Sequence, residues 1–183
     1  RFVDVNGDGK ISPDDRTNIG NGTPSWTFGF NFNAEWKGFD LNLFLQGVTG
    51  NKVFDATYRT DVFSGNFPTW MLDRWTGEGT SNKYPILKNG DATNWQVSDL
   101  YLCDGSYLRL KNISLGYTLP KQWFNNKLNL RLSFSAQNLF TITNYSGADP
   151  EAASMGKSVT EAGIDYTGYP NPRTFLFGLN MSF

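Results

Sequence analysis

The sequence predicts an all-β fold of antiparallel strands long enough to cross a membrane. Three observations carry that prediction. Five runs of about ten residues alternate between apolar and polar side chains. The connections between them are alternately very short and very long. Aromatic residues make up 16% of the 183 residues, beside 19 Gly, which suits many strands, many turns and rings set at interfaces. Period-two alternation gives each strand one apolar and one polar face, and about 9–11 residues is the length a tilted strand needs to span the hydrocarbon core. A soluble β-sandwich that buries the apolar faces in a core is the competing architecture.

The elements follow in order. Residues 1–25 show no alternation and are rich in Asp, Asn and Gly. Residues 26–48 form the first hairpin: WTFGFNFNAEW places Trp26, Phe28, Phe30, Phe32, Ala34 and Trp36 on one face. Lys37-Gly38 then makes a two-residue turn, with Gly38 free to take positive φ. FDLNLFLQGV returns with Phe39, Leu41, Leu43 and Leu45 on the apolar face, and Phe44 interrupts the polar one. Residues 49–106 lose all periodicity, as a long functional surface loop does. Residues 107–142 form the second hairpin. Leu108 and Leu110 share a face with Ile113, Leu115, Tyr117 and Leu119 only after a one-residue slip near Lys111-Asn112, the signature of a β-bulge. Pro120 to Lys127 is a short polar turn, and Leu128 to Ala136 alternates again. Residues 143–172 are a second long irregular segment. Residues 173–183 close the chain with Phe175, Phe177, Leu179, Met181 and Phe183 on one face and Leu176 as the exception.

The chemistry is sparse. A net charge of -1 gives no reason to expect nucleic acid, and the absence of His removes histidine-based acid–base catalysis. Cys103 stands alone, so neither an internal disulfide nor a thiolate zinc cluster is expected. No nucleophile elbow, phosphate-binding loop or dinucleotide fingerprint occurs, and the chain is not expected to be an enzyme. No run of about eighteen apolar residues occurs either, which excludes a membrane-crossing helix but not a barrel, whose strands keep mean hydropathy low.

One local motif stands out. DVNGDGKISPDD sets Asp4, Asn6 and Asp8 at alternate places, Gly9 at the sharp turn, the Lys10 carbonyl next and Asp15 at the twelfth place, the oxygen pattern of a calcium loop. Asp15 is shorter than the Glu of a sensor loop, and Pro13 forbids a long exit helix. A calcium ion here is expected to be structural; an ion-free turn rich in Asp and Asn is the alternative. In the 49–106 segment, Trp70, Trp75, Tyr84 and Trp95 are candidates for substrate or partner contact, against the plainer reading that they pin the loop.

Several stretches together resemble the C-terminal part of the SusC/RagA-type TonB-dependent outer-membrane transporters. They are DVNGDGKISPDDRTNIGN, EWKGFDLNLFLQGVTGN, LDRWTGEGTSNKYP, DGSYLRLKNISLGYTLP, FSAQNLFTITNYSGADPE and YPNPRTFLFGLNMSF, in order along practically the whole chain. Cys103 departs from the pattern, which usually has a polar or charged residue before DGSYLRL. The resemblance implies a large antiparallel barrel of the 22-stranded type in the outer membrane of a Gram-negative bacterium, closed by its last strand. It implies import of oligosaccharides or peptides, a SusD-like surface lipoprotein as partner, and TonB as the drive. The plug, the TonB box and most of the barrel are then expected outside this chain. With Phe183 at the periplasmic side, Lys37-Gly38 and Pro120–Lys127 lie there too, and 1–25, 49–106 and 143–172 become extracellular loops. The alternative function is a secreted, calcium-stabilised β-sandwich that binds glycans or serves as an adhesin.

Overall fold

The computed structural model describes residues 2–57, 67, 69–88, 90, 94, 96–151 and 162–183. Its strands are β1 Trp26–Trp36, β2 Phe39–Thr49, β3 Lys52–Asp55, β4 Leu102–Asp104, β5 Tyr107–Thr118, β6 Asn129–Gln137, β7 Thr141–Thr143, β8 Ile164–Asp165 and β9 Thr174–Ser182. The main sheet runs β1-β2-β5-β6-β9, and β7 prolongs the line of β6 along β5. Every neighbouring pair in it is antiparallel.

The first hairpin pairs without a slip from Trp26↔Thr49 to Trp36↔Phe39. Its turn takes positive φ at both residues, 48° at Lys37 and 88° at Gly38, the primed geometry that matches strand twist. Between β2 and β5 the register moves from Phe44↔Asn112 to Leu45↔Leu110, so Lys111 is the extra residue of the expected bulge. The Pro120–Lys127 turn contains a single 3-10 turn, Lys121–Phe124, ended by left-handed Asn125 and Asn126. Since Asn129 faces Ser182 and Phe39 faces Tyr117, both short turns and Phe183 lie at one end of the sheet. All the long connections leave from the other.

Register turns the alternation of single strands into two continuous faces. On the apolar face Phe32, Leu43, Ile113, Ala136 and Phe175 stand in one row, and Ala34, Leu41, Leu115, Phe134 and Phe177 in the next. The Phe134 ring lies 5.0 Å from that of Phe177, and Phe39 lies 4.3 Å from Tyr117. This face is bare, with Trp26 73% and Phe177 84% exposed. Among the described residues no second sheet packs on it, which removes the sandwich. Water would not tolerate an apolar surface of this extent, whereas lipid requires it. The all-β fold is thus part of the wall of a large transmembrane barrel, with β1 and β9 as the edges of the piece.

The long segments are less irregular than their composition suggests. β3 pairs antiparallel with β4, and β8 joins β3 in parallel, giving a separate three-stranded sheet at the loop end. Two to four residues per strand are too few for period-two alternation to register in the sequence. Lys52 N–H also donates to the Asn21 carbonyl at 2.7 Å, so the opening segment, 49–106 and 143–172 are knitted at their bases. A small core gathers there: Val53, fully buried, against Tyr145, with Cys103 packed beside them.

Candidate functional site

The face opposite the apolar one is a wall of neutral dipoles. Asn42 Nδ2 donates to the Asn33 and Asn31 Oδ1 atoms, and Asn112 Nδ2 donates to Asn42 Oδ1 at 3.1 Å. Ser135 and Ser114 share a hydroxyl hydrogen bond at 2.9 Å. Charge is held at the two ends of this wall. At the short-turn end, Arg131 on β6 reaches across β5 to Asp40 on β2, with Nη2 2.6 Å from Oδ2. Gly116 lies under that bridge, where a Cβ would stand 2.3 Å from the Arg131 guanidinium. Both partners are about a third exposed, so the pair itself is worth at most about 1 kcal/mol.

At the loop end the charges are buried and matched. Arg109 on β5 is 3% exposed, and Asp149, from the segment after β7, is 4% exposed. Arg109 Nη2 donates to Asp149 Oδ1 at 2.5 Å, Nη1 to Glu151 Oε2 at 2.5 Å, and Nε to Thr141 Oγ1 at 2.8 Å. Lys111, set free of the ladder by the bulge, donates to both oxygens of Glu151. Asn171 closes the set, giving its backbone and side-chain N–H to Asp149 Oδ2 at 2.9 and 3.1 Å. Burial pushes the Asp149 carboxyl up, but the bonds from Arg109, Asn171 and Glu151 outweigh it, and its pKa falls below the ordinary value. Nearby, the Tyr145 hydroxyl donates to Asp165, and burial together with that bond raises its pKa. The arrangement holds a loop against the wall; it offers no nucleophile paired with a base.

The 4–15 loop folds around its own acidic side chains. Asp4 accepts from Gly7 and Gly9 N–H at 2.7 Å each, and Asp15 accepts from Val5 at 2.9 Å and Ser12 at 2.7 Å. Asp8 Oδ1 accepts from Lys10 N–H at 2.8 Å, and Asn6 Oδ1 from Asp8 N–H at 3.0 Å. The N–H of Ser12 leads the group that lowers the Asp15 pKa. The donor set of three carboxylates and an amide oxygen suits calcium chemically. Among the described residues, however, no three Asp, Glu, Cys or His side chains stand together as a metal cluster.

No protein-family model matches the chain. TonB-dependent receptor P3 of Formosa agariphila is 40% identical over 190 residues, a match that takes in the whole chain and 19% of that protein. TonB-dependent receptor SusC of Bacteroides thetaiotaomicron is 29% identical over the whole chain and 17% of its own length. Among solved structures, the RagAB peptide importer in its open-open state superposes with a TM-score of 0.76 at 29% identity, over 95% of this chain and 19% of that one. The chain belongs to the SusC/RagA family of TonB-dependent receptors. It spans about a fifth of the length of these relatives, and the receptor is an outer-membrane β-barrel protein.

Within this receptor the residues singled out from sequence are placed unevenly. Trp70 and Tyr84 meet, with ring centroids 4.7 Å apart, and Trp75 N–H donates to the Tyr84 carbonyl at 3.0 Å. Those contacts tie the 3-10 turn Thr69–Asp73 to the segment around Tyr84. Trp75 keeps 40% of its surface open, and Trp95 lies outside the described residues. Cys103 is free and partly buried, its Sγ 3.8 Å from Ser146 Oγ. Sequence reasoning missed Arg109, Lys111, Asp149, Glu151 and Asn171. Arg109 and Asp149 are 40 residues apart, and no local pattern announces a pair at that distance.

Proposed function

We propose that this chain is part of the barrel of an importer that carries oligosaccharides or peptides across the outer membrane. TonB drives it, and a SusD-like surface lipoprotein works at its mouth. The observation that carries this reading is the two-faced sheet: one continuous apolar side for lipid and one neutral, hydrogen-bonding side for a wet lumen. The relatives point the same way, one being named SusC and another described as a peptide importer. In this reading the short turns face the periplasm and the three long segments face outward. The loop end, with Trp70, Trp75 and Tyr84, meets substrate or lipoprotein, and Trp95, outside the described residues, is proposed for the same role. The function is tested by deleting the full-length receptor in its host and following uptake of labelled oligosaccharide and peptide mixtures. Loss of uptake, reproduced by removal of TonB, is the expected result; undiminished uptake of both mixtures contradicts it.

The same reading gives the 4–15 loop a structural calcium ion, held by Asp4, Asn6, Asp8 and Asp15 side chains and the Lys10 carbonyl. The ion would relieve repulsion among three carboxylates and steady an external loop; without a flanking helix pair there is nothing for it to open. Titration of the purified receptor with calcium should protect residues 2–25 from protease and leave the barrel unchanged. Equal cleavage with calcium and with chelator would remove the ion from the account.

A further inference from the structure

At the short-turn end of the sheet the apolar face finishes in a band of rings. Trp36 and Phe39 are the last pair of the first hairpin, and Tyr117 stands beside Phe39 on β5. Tryptophan and tyrosine collect where hydrocarbon gives way to lipid headgroups, because the ring is apolar and its N–H or O–H is not. This row therefore marks the headgroup level at this end of the wall.

Just beyond the row stand three lysines. Lys37 follows Trp36, and Lys121 and Lys127 lie in the turn between β5 and β6; all three are exposed. The two turns adjoin, since Thr118 N–H donates to the Gly38 carbonyl at 2.7 Å, and Asn126 N–H donates to the Lys121 carbonyl at 3.0 Å. Among the described residues none of the three ammonium groups has an ion pair. No Asp or Glu occurs from Gly105 to Ala148 or from Tyr166 to Phe183. The acids of the first hairpin, Glu35 and Asp40, face each other on the polar side, and Asp40 is taken by Arg131.

The position of Lys37 shows what these cations meet. Its Nζ lies 4.9 Å from the centre of the Trp36 ring, and Trp36 belongs to the apolar face, so the ammonium is held on the lipid side rather than turned into the lumen. The turn does not ask for a lysine: a left-handed φ of 48° is a place for Asn, Asp or Gly. A lysine stem lies along apolar surface while its ammonium reaches the nearest polar layer, and in a bilayer that layer is phosphate. A headgroup with its own amine would need a carboxylate beside it, and the carboxylates of this end are on the other face. A headgroup whose only charge is its phosphate is served by the lysines alone.

We propose that this rim is a seat for anionic phospholipid of the inner leaflet, in which Lys37, Lys121 and Lys127 donate to the phosphate and Trp36 packs beside it. The inference rests on the reading that the short turns face the periplasm.

The test uses the full-length Cys103→Ser receptor in phosphatidylcholine vesicles, with a bimane label on a single cysteine. Leu130→Cys places the label on the apolar face beside the rim, and Ile142→Cys places it on the same face at the loop end. Brominated phosphatidylglycerol and brominated phosphatidylcholine, each added as a minor component, quench the label where they gather. Heat-modifiability of every variant checks that the barrel is folded. Phosphatidylglycerol should quench the Leu130→Cys label more than phosphatidylcholine does, by about twofold or more, with no difference at Ile142→Cys. Exchange of all three lysines for Gln should erase the excess, Lys37→Arg should keep it, and high salt should reduce it. Equal quenching by the two lipids at Leu130→Cys, an excess that survives the three exchanges, or an equal excess at Ile142→Cys overturns the seat. Orientation is scored separately: a cysteine at Gln122 should be closed to an impermeant maleimide in intact cells and open once they are permeabilised. Labelling of intact cells ends the inner-leaflet assignment and the orientation beneath it, whereas equal quenching with Gln122→Cys closed ends the seat and leaves the orientation standing.

Discussion

In the wall, Leu132 meets Tyr117 on one side and Leu179 on the other because register places them there. At the loop end, Arg109 meets Asp149 from 40 residues away, and what holds them is charge removed from water. The wall is built from many small, repeated contacts and tolerates the loss of any one on its polar face. The loop end concentrates its stability in a few buried ions, where removing one partner strands the others. The polar face of the wall is therefore hard to break at a point, whereas the loop end is easy to.

The sharpest way to break that contrast is Arg109→Met. It leaves Asp149 and Glu151 without their shared cation, and should weaken docking of the 143–151 segment by roughly 3–5 kcal/mol. Hydrogen exchange should rise there and around Asn171, while β1, β2 and β9 keep their protection. Ser114→Ala, which removes one wall hydrogen bond, should change neither region. Equal loosening by both substitutions would mean that the loop end is no more concentrated than the wall.

The wall has its own sensitive face. Leu132→Arg or Leu179→Arg should cost roughly 2–4 kcal/mol if those rows sit near the bilayer midplane. The adjacent Ser133→Arg and Asn180→Arg should cost far less, because they face the lumen. Denaturant unfolding of the full-length receptor in vesicles checks all four, and a common penalty would show that the two faces have been assigned to the wrong media.

Smaller effects sharpen the picture. Gly116→Ala sets a methyl group 2.4 Å from the Asp40 carboxylate, but the atoms it meets are the ends of flexible side chains. The Asp40–Arg131 pair should separate at a loss of about 1 kcal/mol, read as a small shift of the unfolding midpoint; no shift would show the bridge to be idle. The least effect is expected from mild acid. The Asp149 pKa is depressed on folding, so its contribution is fully present above the ordinary carboxylate value of about 4 and is lost as pH falls through the lower folded value. Exchange protection of 143–151 should fall over that window, while the apolar face, which has no carboxylate, stays unchanged. Protection that instead rises with acid would reverse the sign assigned to Asp149.

Much of the wall is legible in the sequence because a strand with one face in lipid writes itself as strict alternation. Even the bulge shows, since Lys111 shifts the phase between Leu110 and Ile113. The exceptions are legible too: Phe44 and Leu176 face Asn31 and Ser135 across the polar side. The three-stranded sheet and the charge network at the loop end are not, for two physical reasons. β3, β4 and β8 are too short to carry a period, and β8 adds to β3 from more than a hundred residues downstream. The Arg109 network depends on contacts between segments that only the folded chain brings together. The turn at Lys37-Gly38 shows an intermediate case: glycine announces the bend, but nothing in a lysine announces φ 48°.

The central claim, that one face of this sheet meets lipid and the other a wet lumen, is tested most directly by spin-label accessibility. Single cysteines would be placed at Phe30, Leu43 and Leu179 and at Asn31, Asn42 and Asn180, in a full-length Cys103→Ser receptor reconstituted in bilayers. The account predicts a period-two pattern: the first set relaxed by oxygen, which concentrates in lipid, and the second by a water-soluble nickel chelate. A pattern without alternation, or one in the opposite phase, would contradict it.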